Sequence, residues 1–481
     1  MADPFYLAAP MREARVAEAL RDCLSARNGP VQLWIAPSDT EIAEAIATHD
    51  HYSAVFSSGT AETDVLNAAR YRGHEATIER LAVIASSPIV IGWSREAAWH
   101  LGGRALGWRT LVEQSERADF RIVHASGADP TGRWALAALA KATRDAGDAN
   151  GDLLKRIQSR TAGYAVDELE IGDLLLEQPA DAFVAQENAA LSTCLAHEGR
   201  YVISMPEEGT FLIQRPLLVA RVEGNLNEPW LHQQIELFDT LVPFLSSSDW
   251  YSALSEAGYR DPEGQVTPAA ALPHYVAPPP RFPSYWEAPT AVAIGAIPAL
   301  WADVKRPASI LLLLDTSGSM SGGKLAGAKK AIRQFLVNIL GTKDRLGLMT
   351  FGSTINDVVL LQPARAAAER IEASLDQVAA AGSTVLFDSV GAAIEHLEAD
   401  GGTNLRAVVL LSDGADTDSA LSLAAVVARI RDADHLLMYA VSYPDGSQDT
   451  LSSLASAGMG HVLQSDPQSI VRVYETISRR L

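Results

Sequence analysis

At 481 residues the chain is too long for a single core, and at about 150 residues per domain it should hold roughly two to four folding units. A hydrophobic share of 48% beside 20% charged residues describes a globular protein. The 39 Lys and Arg against 59 Asp and Glu, a net charge of -20, leave no basic footprint for a phosphate backbone, which excludes nucleic acid as a partner class.

In chain order, residues 1–29 contain Asp3, Arg12, Glu13 and Arg15 without an unbroken apolar run, and are expected to form an N-terminal extension. No stretch of the chain approaches the roughly 20 apolar residues that span a bilayer. The two cysteines, Cys23 and Cys194, are too few and too far apart for a zinc site or a disulfide scaffold; one bridge and two buried thiols both stay open.

Mixed strands and helices follow. Strands are expected at Val31–Ala36, Ser53–Phe56, Leu81–Ala85, Ile89–Gly92, Phe120–His124, Ala182–Val184, Tyr201–Ser204 and Leu217–Arg221. The segment WIAPSDTEIAEAI, from Trp34, reads as a strand, a Ser-Asp-Thr cap and an amphipathic helix, and RIVHASGADPTGRWALAALAKA, from Arg121, repeats that design. Free N–H groups at such helix starts suit an anionic ligand, although ordinary capping explains them equally simply. About 265 residues of this pattern fit two lobes around a cleft better than one.

The stretch QVTPAAALPHYVAPPPRFPSYWEAP, Gln265–Pro289, holds seven prolines and no periodic pattern, the composition of a stiff, extended connector and a domain boundary. Beyond it, apolar runs at Ser309–Leu314, Leu346–Phe351, Ala407–Leu411 and Leu436–Val441 alternate with amphipathic stretches at Gly327–Leu340, Ala364–Ala379 and Leu421–Ala433. That alternation predicts parallel strands covered by helices on both faces, a doubly wound α/β domain.

In such a sheet the loops at the carboxyl ends of neighbouring strands meet in a crevice. The run ILLLLDTSGSMSGGK delivers Asp315, Ser317 and Ser319 there, the run ending at Leu411 delivers Ser412 and Asp413, and the loop AGSTVLFDS presents Thr384. Of these, the carboxylates of Asp315 and Asp413 and the hydroxyls of Ser317, Ser319 and Thr384 form an all-oxygen set that suits Mg²⁺, or Mn²⁺, better than zinc, and an incomplete protein shell leaves room for a carboxylate from a partner. Asp388, Asp416 and Asp418 lie nearby and read as caps or surface acids. His396, His435 and His461 show no H-E-x-x-H spacing, Ser317 sits in no G-x-S-x-G elbow, and G-G-K at Gly322–Lys324 lacks phosphate-loop spacing, so no enzyme is expected. A simple turn and helix cap is the plain alternative for D-x-S-G-S.

The D-x-S-x-S motif with Thr384 and Asp413 resembles the von Willebrand factor A domain and its metal-ion-dependent adhesion site, across 301–481. The resemblance implies Ser317, Ser319 and Thr384 as direct metal ligands, with Asp315 and Asp413 bound directly or through water. The N-terminal order, including IASSPIVIGWSREAAWHLG, ADPTGRWALAALAKA, PADAFVAQENAAL and MPEEGTFLIQRPLLVARV, resembles a type II periplasmic solute-binding protein of the bacterial extracellular kind. It implies a solute-binding-like domain over 30–266, with a second lobe at about 119–204 inserted into the first, and a Pro-rich linker over 267–300. Candidate cleft residues are Ser38, Asp39, Ser58, Gly59, Thr131, Arg133 and Glu187; Asp129 departs from the serine-rich turn of oxyanion binders and would repel an anion, with Arg133 as its counterweight.

The expected fold is therefore α/β throughout, a two-lobed periplasmic-binding-protein-like domain followed by a Rossmann-like von Willebrand factor A domain. The expected function is non-enzymatic: Mg²⁺-dependent capture of a protein partner that supplies a carboxylate, with a small solute in the N-terminal cleft or a platform in its place. An accessory subunit of a cytoplasmic metal-chelatase-like complex and the solute-binding component of a transporter are the alternatives. The resemblance points to an extracytoplasmic address, with a cytoplasmic one as the alternative.

Overall fold

The computed structural model describes residues 5–10, 14–28, 31–36, 54–56, 76–102, 106–222, 243–339, 343–413, 415–433, 436–443, 448–466 and 469–481. Its strands are β1 (Phe5–Pro10), β2 (Val31–Ala36), β3 (Ala54–Phe56), β4 (Ala76–Ser94), β5 (Ile122–Ala125), β6 (Thr161–Ala165), β7 (Ala182–Gln186), β8 (Tyr201–Ser204), β9 (Leu212–Val222), β10 (Ala308–Asp315), β11 (Arg345–Phe351), β12 (Ile355–Pro363), β13 (Leu405–Ser412), β14 (Leu436–Ser442) and β15 (Val462–Gln464). The chain divides into two compact units. One comprises residues 1–150, 167–172 and 181–298; the other comprises 151–166, 173–180 and 299–481.

In the first unit the strands run β2-β1-β3-β9-β4-β7-β5, with β8 also paired to β4. The 19 residues of β4 serve two lobes: Ala76–Pro88 pairs antiparallel with β9, and Ile89–Ser94 continues onto β7 and β8. Two separate strands were expected here. Ser86, Ser87 and Pro88 instead stay in register with Gln214, Ile213 and Leu212, and Pro88 is tolerated because it falls where one partner strand gives way to the next.

Three boundaries differ from expectation. Residues 151–166 and 173–180, expected within the inserted lobe at about 119–204, group with the second unit. Residues 5–10 and 14–28, expected in an N-terminal extension, are part of the domain: β1 lies between β2 and β3, and Leu7, Ala9, Val16, Ala17 and Leu20 are fully buried with Ile84, Leu217 and Trp250. The Pro-rich segment is a strap pinned to its own unit, not a free connector. Val276 N–H donates to the Ile203 carbonyl (2.9 Å), Trp286 N–H donates to that of Thr210 (2.8 Å), and the Trp286 ring stacks on Trp108 at 6.0 Å. Apart from a short turn at Leu272–His274, the segment leaves the N–H groups of Val276 and Trp286 free to pair with the sheet, and Tyr275, Tyr285 and Trp286 give it aromatic surface to bury.

In the second unit the sheet order is β12-β11-β10-β13-β14-β15, parallel except for the β11–β12 pair. β10 and β14 are buried along their whole length, and β13 everywhere except at Arg406. Leu311, Leu313, Met349, Val408, Leu410 and Met438 pack against Val390 and Ile394 of the helix Leu386–Asp400 and Val426 and Ile430 of the helix Leu423–Asp432. Alternation turns Ile310, Leu312 and Leu314 to the other face, where the helices Gly323–Ile339 and Ile470–Arg480 meet through Phe335 and Tyr474 (5.9 Å). Each fully buried leucine contributes about 2–5 kcal/mol relative to alanine, so the strands that carry the site are held firmly. Pairing Leu314 with Leu411 and Ser412 with Ser442 ends β10, β13 and β14 at one level, and the loops after them leave from one edge.

Candidate metal centre and solute cleft

The sequence places an acid where β10 stops, and the structure gives that acid a tightly defined setting. Asp315 is fully buried. Its Oδ1 accepts the Ser317 N–H (2.8 Å), and its Oδ2 accepts the Ser412 hydroxyl (2.6 Å), which ties the end of β10 to the end of β13. Burial raises the Asp315 pKa; bonds from Ser317 and Ser412 act against that, and the charge of Asp413 adds to it.

Ser317 begins the short turn Gly318–Met320 but makes no side-chain cap; its Oγ lies 3.0 Å from Ser319 Oγ. The plain capping alternative therefore describes Asp315 in part and Ser317 not at all. Ser317 is buried, whereas Ser319 is exposed. The loop carrying Thr384 is stitched to the first: Gly318 N–H donates to the Gly382 carbonyl (3.1 Å), and Ala381 N–H donates to that of Thr316 (2.7 Å). Thr384 is clamped by its backbone, its N–H donating to Thr417 Oγ1 (2.8 Å) and its carbonyl accepting Thr417 N–H (2.9 Å).

Asp413 follows β13 and is 7% exposed. Its Oδ1 is buried without a hydrogen-bond partner, and its Oδ2 lies 4.0 Å from Lys324 Nζ. An orphaned buried carboxylate oxygen is costly. Beside Asp315 and the loop hydroxyls, that oxygen fits a divalent cation: the donors are all oxygen, the charges sum to that of a dication, and one carboxylate has an unmet requirement. The nearby acids are spoken for. Asp388 accepts Ala420 and Leu421 N–H (both 2.8 Å), Asp416 accepts the Ser419 hydroxyl (2.6 Å), and Asp418 accepts that of Ser383 (3.2 Å). Among the described residues no cluster of three or more His, Cys, Asp or Glu side chains could hold a metal, which is consistent with a set built largely from hydroxyls.

The expected cleft is less complete. Ser38, Asp39, Ser58 and Gly59 lie outside the described residues. Thr131 and Asp129 follow the capping alternative: Asp129 caps the helix Pro130–Asp145, accepting Thr131 N–H (2.9 Å) and the Thr131 hydroxyl (2.7 Å), while Thr131 Oγ1 accepts Glu168 N–H (3.3 Å). Gly132 lets that helix start press against the end of β5; a Cβ there would lie 2.1 Å from the Ser126 carbonyl oxygen. Arg133 donates to the Ala128 carbonyl (3.2 Å), and its Nε is buried without a partner.

Glu187 does not serve as an open cleft ligand. It is fully buried and receives Arg260 through two bonds, Nε to Oε2 at 2.6 Å and Nη2 to Oε1 at 2.7 Å, and the Tyr275 hydroxyl also donates to it. Burial works against the Arg260 charge, and Glu187 more than offsets it, so the net shift in Arg260 is upward. Sequence reading could not pair residues 73 positions apart. It also missed Glu168, Gln186 and Arg215: Glu168 accepts Gln186 N–H (3.2 Å), and Arg215 donates to the Gln186 side chain. Burial pushes the Glu168 pKa up to about 8, with Arg215 opposing. Their only sequence signal is position, Gln186 ending β7 and Arg215 lying inside β9.

The second unit thus has the doubly wound architecture with an acid-and-hydroxyl loop edge, and the first a two-lobed sheet architecture. Residues 309–472 match the family model for the von Willebrand factor type A domain, and residues 35–260 match that for bacterial extracellular solute-binding proteins. The chain joins these two binding-type domains. "Uncharacterized protein sll0103" of Synechocystis sp. is 25% identical over 184 residues, 37% of this chain and 43% of that protein; the chain thus spans less than half of that relative. Among solved structures, a von Willebrand factor type A protein from Catenulispora acidiphila is 17% identical, covers 37% of this chain and 42% of its own, and has a TM-score of 0.33. A "putative extracellular solute-binding protein" from Bordetella parapertussis is 14% identical, with coverage of 62% of this chain and 96% of its own and a TM-score of 0.44. Among the described residues no helix is long and apolar enough to cross a membrane.

Proposed function

We propose that the chain is a non-enzymatic, extracytoplasmic capture protein. Its C-terminal domain would hold Mg²⁺, or Mn²⁺ in its place, with Asp315, Ser317, Ser319, Thr384 and Asp413, and would dock a partner protein through a carboxylate of that partner. The solute-binding-like domain serves as its platform. The observation that carries this reading is the buried Asp413 oxygen without a partner, close enough to Asp315 for the two charges to interact. A dication would supply there a close positive charge for the Asp413 oxygen that no group of the chain bonds. The protein's own part is to keep the donors in place: the Ser317 N–H and Ser412 hydroxyl orient Asp315, and Thr417 fixes the backbone that carries Thr384.

Calorimetric titration of Mg²⁺ and Mn²⁺ into the wild type, Asp315→Ala and Thr384→Ala tests it, with circular dichroism to check folding. The wild type should bind one equivalent, and each folded variant should bind at least about tenfold more weakly, in keeping with the loss of a metal donor. A wild type that takes up neither ion at millimolar concentration overturns the reading.

A further inference from the structure

Resting on the metal reading above, we propose that the Lys324 ammonium is a built-in counter-ion of Asp413, which competes with the divalent cation and sets the affinity of the site. Lys324 is the second residue of the helix Gly323–Ile339, immediately after the loop of Ser317 and Ser319. Two contacts fix its position. The Tyr443 hydroxyl donates to the Lys324 carbonyl (2.7 Å), and Lys324 Nζ lies 5.6 Å from the centroid of the Tyr443 ring. Tyr443 itself is buried just beyond β14. The lysine stem is therefore held between the ends of β13 and β14, with its charge delivered to Asp413 Oδ2 at 4.0 Å.

That distance is too long for a hydrogen bond and short enough for strong Coulomb attraction where water is scarce. The ammonium is paired with Asp413, whose charge also acts on the buried Asp315, and it leaves Asp413 Oδ1 without a partner. The compensation is partial by construction. It limits the repulsion between the two acids before metal arrives, and it leaves an oxygen that only a closer, more highly charged cation satisfies. Once a dication is present, the ammonium becomes a like charge a few ångströms away and opposes it. The consequence is a site that stays folded without metal and holds metal less tightly than its donors alone would.

The test compares wild type with Lys324→Met, which keeps an unbranched stem beside Tyr443 but removes the charge, and with Lys324→Arg, which keeps the charge. By Mg²⁺ calorimetry, Lys324→Met should bind about tenfold more tightly than wild type, and Lys324→Arg within about twofold of it. In chelator, Lys324→Met should melt below wild type, and the loss should shrink in the Asp413→Asn background, where the ammonium has lost the carboxylate it is paired with. Equal or weaker Mg²⁺ binding by folded Lys324→Met, in a wild type that does bind, overturns this proposal alone. No binding by wild type overturns the metal reading and this proposal together. Should Lys324→Met fail to fold, Lys324→Gln takes its place with the same expected outcomes.

Discussion

Glu187 and Asp413 make an informative pair. Each is a buried carboxylate set just after a strand, β7 in one unit and β13 in the other. Glu187 is answered from within the chain by two Arg260 bonds and the Tyr275 hydroxyl. Asp413 has one oxygen without a partner and one 4.0 Å from a lysine. Position at a strand end marks both as candidate ligands, but only the one whose charge the protein leaves unsettled keeps a need that something outside the chain can meet. A buried acid closed by its own arginine is architecture.

The widest separation between the two should come from charge removal. Glu187→Ala strands the Arg260 guanidinium in a fully buried position and should destabilise the first unit by about 3–5 kcal/mol. Asp413→Asn, measured in chelator, removes a charge that was only partly balanced and should change stability by about 1 kcal/mol or less. Urea denaturation followed by circular dichroism and tryptophan fluorescence reads both. Similar costs for the two substitutions would erase the distinction.

The contrast also explains what was legible. The metal loops announce themselves because each follows a saturated apolar run, and a run buried on both faces can only be a central strand whose end meets its neighbours' ends. Short or edge strands left no such trace. β12, with Asn356, Asp357 and Leu360 exposed, alternates poorly, and β15 has three residues. In the first unit the deciding contacts are distant in sequence: Arg260 reaches Glu187, the strap reaches β8, and β1 reaches β2 and β3. Residue type and spacing carry no record of such pairings. Proline content likewise said nothing of the aromatic surface that fastens the strap down.

A second acid in the first unit sharpens the rule that burial needs an answer. Glu168 is answered incompletely: burial dominates, Arg215 and the Gln186 N–H oppose it, Asp129 adds to it, and its pKa rises to about 8 from an ordinary value near 4.5. A raised acid binds more protons folded than unfolded, so its contribution to stability is full below the unfolded value and is lost as pH climbs toward about 8. The slope is at most about 1.4 kcal/mol per pH unit for one proton. Glu168→Gln should therefore raise the melting temperature at pH 8.5 and leave it nearly unchanged at pH 5. A variant equally stabilising or destabilising at both values would show that the carboxyl is not protonated in the folded protein.

The smallest effect concerns Cys194, a free thiol buried in the helix Glu187–Ala196, the helix that Glu187 itself opens. Burial pushes its pKa up to about 12, with Arg95 pulling weakly the other way, so almost no thiolate exists near neutral pH. Alkylation by iodoacetamide at pH 8, followed by peptide mass spectrometry, should leave Cys194 unmodified in the native protein and modify it fully in denaturant. Because reactivity now reports opening of this helix, the same reagent separates the two carboxylates locally: Glu187→Ala should speed Cys194 labelling, and Asp413→Asn should not. Unchanged labelling in Glu187→Ala would mean that the Arg260 pair holds the strap alone, and that the helix is secured by the apolar contacts of Ala189, Ala190 and Leu191 instead.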